Sequence, residues 1–385
     1  MSKALMLLFC LSAGYAGAQM PLPSEGVPEA NQIFESRMKD TLDCSIQHYQ
    51  ASMDFLFRYD AGFLFQCKAR QFEGNSKIVS LIRVTPRHGA PVVMNEAFEF
   101  KAVPPEAVRK LGRRIKNVYV EGSGGVALGP GEYSIELALV DTHARTLHRH
   151  WKVQAQADKN RTVPVMLPPN TVAPLISGDW DGKLAPDGLR LTVLLHATPI
   201  FPGSAKLYAW DRAFLLQTLA SLLKQTPCKS VRVIAFNLDQ QKEIFHQDDF
   251  DVHGFEKLAD TLRKSEMSTV SYKALQHKNW AELLVKLTEA EIAAKRTSDA
   301  IVFLGPSSRF WDKVPAEMKN FEKTPARFFY FEYYPWVHEF PDAIDYLTRD
   351  LHGTVFHIHS ADQLRQAIPK MLAQIKPSIA VLPAN

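Results

Sequence analysis

Beyond its first twenty residues the chain has no apolar run approaching the roughly 20 residues that a membrane-spanning helix needs. It also lacks a Gly-x-Ser-x-Gly elbow, which removes the commonest serine-hydrolase design. Gly122-Ser123-Gly124-Gly125 is glycine-rich, but no helix opening on Lys-Ser or Lys-Thr follows it. It therefore reads as a flexible turn in a β domain, not as a phosphate loop. Charge of one sign is scarce too. A net charge of +4 over 385 residues suggests neither nucleic acid nor an anionic membrane as partner. No internal repeat is found.

Cysteine is the next scarcity, with 4 in the chain. Cys10 lies in the N-terminal apolar run, where Lys3 precedes Ala4 to Leu11 and Ala16-Gly17-Ala18 supplies small residues at a cleavage spacing. That arrangement predicts a secretory signal peptide over 1–18, and an exported protein of the periplasm or exterior. In an oxidising compartment Cys44 and Cys67 are the better pair, with Cys228 left over. Three buried free thiols are the alternative.

A hydrophobic fraction of 46% beside a charged fraction of 22% describes a folded chain with sizeable cores, long enough for two domains. Residues 19–42 are rich in Pro, Glu and Gln and read as a mobile leader. Over 43–156, short alternating runs separated by turn signals predict an all-β, immunoglobulin-like sandwich. Its clearest part is Gly129-Pro130-Gly131-Glu132-Tyr133 followed by SIELALVD and TLHRHWKVQAQ, a hairpin. Residues 157–188 carry the prolines and glycines of a stiff linker.

From 189 the pattern changes. LRLTVLL, VRVIAFNL, AIVFL, RFFYFEY and TVFHIHS are strand-like runs separated by amphipathic helical stretches near 208–225, 253–264, 280–296 and 342–351. A short strand is expected at 268–272, and Gly353 is read as the cap of the helix before it. Alternation at this rhythm predicts a doubly wound, mainly parallel α/β sheet over 189–376, with 377–385 a tail. Such sheets bind ligands beyond their strand ends, which draws attention to His196-Ala197-Thr198-Pro199-Ile200.

The order of these elements resembles a von Willebrand factor type A domain. VRVIAFNLDQQKEIFHQDDF stands at that family's second and third strands, and GTVFHIHS with DQLRQAIPKML at its last strand and helix. Most of the chain is similar to bacterial secreted proteins related to that domain, in which a sandwich with a GPGEY-type hairpin comes first. The resemblance implies a Mg²⁺ site of carboxylate and hydroxyl oxygens. At the implied positions the chain offers His196, Thr198 and Ile200, then Thr269 in a second loop, then Gly305 and Pro306. Neutral hydroxyls alone do not strip a hydrated Mg²⁺. A degenerate metal-ion-dependent adhesion site follows, with no metal and no cofactor.

Other candidates each carry two readings. His148 with His150, and His357 with His359, share a strand face and could chelate zinc, or could be surface histidines without metal. Ser307-Ser308-Arg309 could bind an anion or cap a helix. Arg109, Lys110, Arg113, Arg114 and Lys116 form a basic run that could meet an acidic partner or be a solvated face. Tyr333, Tyr334 and Trp336 could present an interface or pack as a lid. The preferred expectation is a non-catalytic protein-binding or adhesion-type protein with a protein partner. The alternative is a hydrolase using His196 with Asp211, Ser204 or Ser307.

Overall fold

The computed structural model describes residues 20–36, 39–72, 76–100, 106, 109–110, 112, 117–156, 165–175, 180–200, 207–264, 280–294, 298–316, 321, 324–333 and 340–375. Two compact units divide the chain: Met1–Met53, Phe57–Ser177 and Tyr208–Trp210 in one, Asp54–Leu56, Gly178–Leu207 and Asp211–Asn385 in the other.

The first unit runs β1 (Met20–Pro21), α1 (Val27–Glu35), β2 (Cys44–His48), β3 (Ser52–Met53), β4 (Tyr59–Lys68), β5 (Ser76–Pro86), β6 (Val92–Phe100), β7 (Tyr119–Leu128), β8 (Gly131–Asp141), β9 (Thr146–Ala155) and β10 (Val172–Pro174). One antiparallel sheet has the order β1-β6-β5-β8-β9, the other β10-β7-β4-β2 with β3 also on β4. Strict alternation along β4 turns Tyr59, Ala61, Phe63, Phe65 and Cys67 inward. They meet Ile78, Ile82, Ile135 and Leu137 of the facing sheet in one core.

Three expectations are corrected here. The leader is not featureless: α1 begins with Pro at its first turn and places Ala30 and Ile33 against Val79, Leu81 and Val140, covering the sheet's outer face. Gly122 to Gly125 lie inside β7, not in a turn, because the strand passes where a side chain has no room. A Cβ on Gly122 would sit 2.4 Å from the Phe65 ring. The proline-rich linker contributes β10, paired to β7 through Val172, Ala173 and Pro174. Cys44 and Cys67 are bonded, and face each other across β2 and β4 of a single sheet. An immunoglobulin bridge joins the two sheets instead, so this sandwich departs from that pattern.

The second unit contains β11 (Leu189–His196), α2 (Ala209–Gln225) from Asp211 onward, β12 (Cys228–Asn237), β13 (Lys242–Gln247), α3 (Val252–Lys264), α4 (Trp280–Ile292), β14 (Ala300–Pro306), β15 (Arg327–Tyr333), α5 (Ala343–Asp350), β16 (Thr354–Ile358) and α6 (Ala361–Ile375). Its sheet order is β13-β12-β11-β14-β15-β16. One face packs Leu194, Phe236, Phe303 and Tyr330 under Leu284 of α4 and Leu347 of α5.

The strand pairing overturns the expected fold class. Both sheets of the first unit are antiparallel, and the sheet of the second is mixed, because β13 folds back on β12 as an antiparallel hairpin. Leu238 to Gln241 make the turn: Gln241 takes φ 50°, and Gln240 N–H donates to Asn237 Oδ1 at 2.7 Å. A strand–helix rhythm cannot reveal such a return. The chain is therefore not the doubly wound, mainly parallel, von Willebrand type A class that its element order suggested.

Helix α5 starts on Asp342, whose carboxylate accepts from Asp345 N–H, and ends at His352, which takes the left-handed φ of 56°. Gly353, read as the cap, is needed for a different reason: a Cβ there would lie 2.5 Å from Phe328 O. The strand expected at 268–272 lies outside the described residues. Among the described residues no helix is long and apolar enough to cross a membrane.

Candidate functional site

Strands β11, β14, β15 and β16 run parallel, so their carboxyl ends gather at one edge of the sheet. His196 ends β11 at 1% exposure, stacked on Phe236. Its Nδ1 lies 3.0 Å from Pro306 O. A carbonyl only accepts, so Nδ1 carries the proton and Nε2 is left as a lone pair, buried and without a partner among the described residues. Burial holds the imidazole pKa down at about 4, so the ring is neutral.

Of the residues at the implied metal positions, the fold unites His196, Gly305 and Pro306. A Cβ on Gly305 would meet His196 O at 2.6 Å, so only glycine lets β14 pass this close. Thr198 is buried and donates to Asp239 Oδ2 at 3.3 Å. Ile200 contributes its N–H to Asp211 Oδ1 at 3.0 Å. Thr269 lies outside the described residues. A carboxylate reaches this spot from elsewhere in the chain: the β12–β13 turn delivers Asp239. Arg309 Nε stands 3.4 Å from the same Asp239 oxygen, so a fixed guanidinium charge already faces that carboxylate.

A second cluster adjoins the first through Tyr330, whose Oη lies 3.3 Å from Pro306 O and 3.2 Å from Asp342 Oδ2. Burial, with the phenol beside Asp342, pushes the Tyr330 pKa far up. Asp342 is wholly buried and accepts from Ser308 N–H at 2.5 Å; burial, then the neighbouring Glu332 charge, raises its pKa to about 7. Glu332, 2% exposed in β15, accepts from Ser307 Oγ and lies 2.6 Å from His357 Nδ1. Asp345 on α5 is paired with Arg349 and stands 3.9 Å from His357 Nε2. The hydrogen bond to Glu332 raises the His357 pKa.

These contacts settle several candidates. Ser307 and Ser308 hold carboxylates rather than an anion. Among the described residues neither Ser307 nor Asp211 is bonded to His196, whose Nδ1 is on Pro306 O; Ser204 lies outside them. His150 is bonded to Ser134 through Nε2 at 2.8 Å, and the backbone N–H of His359 donates to Gln363 Oε1. Tyr333 is corrected as an interface residue: it is 2% exposed, packed at the end of β15. Tyr334 and Trp336 lie outside the described residues, as do Arg113, Arg114 and Lys116 of the basic run. Among the described residues the exposed aromatics in the segments after β14 and β15 are Trp311, at 48%, and Phe340, at 69%. Phe310 O, beside Trp311, accepts from Ala343 N–H, the first residue of α5, at 2.8 Å.

The residues that the sequence did not single out are Glu332, Asp342, Asp345, Arg349 and Asp239; Arg309 was singled out, but for an anion and not for Asp239. One signal was present. Glu332 is a lone carboxylate in the apolar strand RFFYFEY, and a buried charge requires a partner.

The chain matches no family model and no curated protein. Among solved structures, it overlaps a lipoprotein from Bacteroides thetaiotaomicron at 7% identity, over 35% of this chain and 96% of that one, with a TM-score of 0.14. Bacteroides uniformis beta-glucuronidase 2 overlaps at 9% identity, over 87% of this chain and 39% of that one, with a TM-score of 0.20. A putative beta-galactosidase from Bacteroides fragilis gives 9% identity, 77% and 42% coverage, and a TM-score of 0.20. The chain thus spans about two fifths of the length of those two enzymes. Overlaps this slight assign neither a fold family nor an activity.

Proposed function

We propose that the chain is an exported, non-catalytic protein-binding protein, whose second unit meets its partner at the loops following β14 and β15. The observation that carries this reading is the pair of exposed aromatics, Trp311 and Phe340, in the segments that follow β14 and β15, where Phe310 O accepts from the first N–H of α5. Large aromatic side chains are enriched at the centres of protein interfaces, where they bury much area at low conformational cost. The Cys44–Cys67 bond supports export, since such bonds persist in oxidising compartments. The non-catalytic part is supported by the internal bonding of the polar groups. His196 is neutral and buried, Ser307 is bonded to Glu332, and Asp211 is bonded to the Ile200 N–H.

The test immobilises the mature protein and its Trp311→Ser/Phe340→Ser variant, and compares proteins retained from the envelope fraction. Loss of one aromatic anchor costs about 1–2 kcal/mol, so the double variant should lose its partner by tenfold or more. Equal retention by both proteins contradicts the reading. So does hydrolysis of a chromogenic ester or glycoside that His196→Asn abolishes.

A further inference from the structure

We propose that Glu332, Asp345 and His357 form a binding site for a zinc-class divalent cation at the β15–β16 edge of the second unit. One ligand atom from each residue lies within 4.8 Å of the others, and the three come from β15, α5 and β16 respectively. Two carboxylate oxygens and one imidazole nitrogen suit Zn²⁺, which takes N and O donors at about 2.0–2.2 Å. A purely oxygen-seeking ion such as Mg²⁺ gains nothing from the imidazole.

The two carboxylates now face different nitrogens of the His357 ring, so closure on one ion requires the ring to turn. Donors around a tetrahedral zinc ion stand about 3.3 Å apart, from bond lengths of about 2.0 Å. Glu332 Oε2 lies 2.6 Å from His357 Nδ1, whereas Asp345 Oδ2 lies 3.9 Å from Nε2, so the imidazole must turn to offer one nitrogen to an ion held by both carboxylates. The side chain that must move is the one able to. His357 is 49% exposed, whereas Glu332 and Asp345 are 2% and 1% exposed on elements packed into the core. The exposed imidazole also supplies the entry path, with solvent on the fourth coordination position. Ser307 Oγ, donating to Glu332, orients that carboxylate as outer groups orient metal ligands. Arg349 is the ion's competitor: its guanidinium holds Asp345, and its side chain is 58% exposed, free to swing outward as the metal takes its place.

The site is distinct from the positions around His196, where Arg309 occupies the carboxylate. It is also independent of the partner-binding reading, because it needs neither Trp311 nor Phe340.

The test titrates Zn²⁺ alone into metal-stripped full-length mature protein by calorimetry, with His357→Gln and His359→Gln as paired variants. Both changes are at exposed positions on one chain segment, so neither removes core packing. Expected are one bound ion in the wild type and in His359→Gln, and affinity weaker by more than about tenfold in His357→Gln. Thermal melts should show zinc raising Tm in the first two proteins only. Zinc-edge absorption spectra should fit one nitrogen among oxygen ligands at about 2.0 Å. No binding by the folded wild type, or equal binding by His357→Gln, overturns the proposal.

Discussion

The buried neutral His196 makes stability depend on pH in a way that can be worked out. An ordinary imidazole titrates at 6.5, but this one is held at about 4 because burial disfavours its charged form. As pH falls below 6.5 the unfolded chain takes up the proton first, so the unfolded state binds more protons and stability falls with pH. The contribution is intact above pH 6.5 and is lost progressively until about pH 4. At roughly 1.4 kcal/mol per pH unit it amounts to about 3 kcal/mol. Asp342 works in the opposite direction. Its pKa is raised to about 7, so what it contributes is present at low pH and lost as pH rises through 7. The wild-type profile alone mixes the two. The informative quantity is wild type minus His196→Asn, in which an amide placed near the former Nδ1 still donates to Pro306 O but does not titrate. Hydrogen exchange of the peptide covering 189–198, followed in urea at pH 7.5, 6.0, 5.0 and 4.5, reads the second unit directly. The difference should shrink by about 2–3 kcal/mol between pH 6.5 and 4.5. Parallel profiles for the two proteins would refute a buried, neutral His196.

Other perturbations test neighbouring steps. Gly305→Ala places a methyl 2.6 Å from His196 O and should cost about 1–3 kcal/mol, read as a lowered Tm. Removing the Cys44–Cys67 bond, which spans a sequence separation of 23, should cost about 3 kcal/mol, measured as a lower urea midpoint for Cys44→Ser/Cys67→Ser. Cys228 is buried, and burial pushes its thiol up to about 12, so iodoacetamide should label it only after denaturation; labelling of native protein would contradict its burial.

Local pattern located the individual elements of the second unit well. LRLTVLL is β11 with His196 added, RFFYFEY is β15, and the helix expected at 208–225 is α2. These positions are set by apolar runs and spacing, which are local properties. Pairing direction is not local, so nothing in KEIFHQ announced that β13 would return antiparallel to β12. Glycine in β7 misled for a related reason. Four residues suited to a turn are equally suited to a strand that must pass beside Phe65. Helix α1 was missed because its apolar stripe is short and set among polar residues, and its stability comes from the sheet beneath it. The acidic cluster was the least visible feature. Glu332, Asp345 and His357 are brought together by parallel pairing of β15 with β16 and by the packing of α5 against them, and no spacing in the sequence encodes that meeting. The histidine pair at 357 and 359 drew attention to the chain segment that carries His357.

The central claim, a partner-facing edge at the ends of β14 and β15, is tested most directly by site-specific photo-cross-linking. A benzophenone side chain at position 340 is compared with one at 253, where His253 is 81% exposed on α3. The account predicts one discrete protein cross-linked in the export compartment from position 340, diminished by Trp311→Ser, and none from position 253. Absence of any adduct at 340, or the same adducts from both positions, would contradict it.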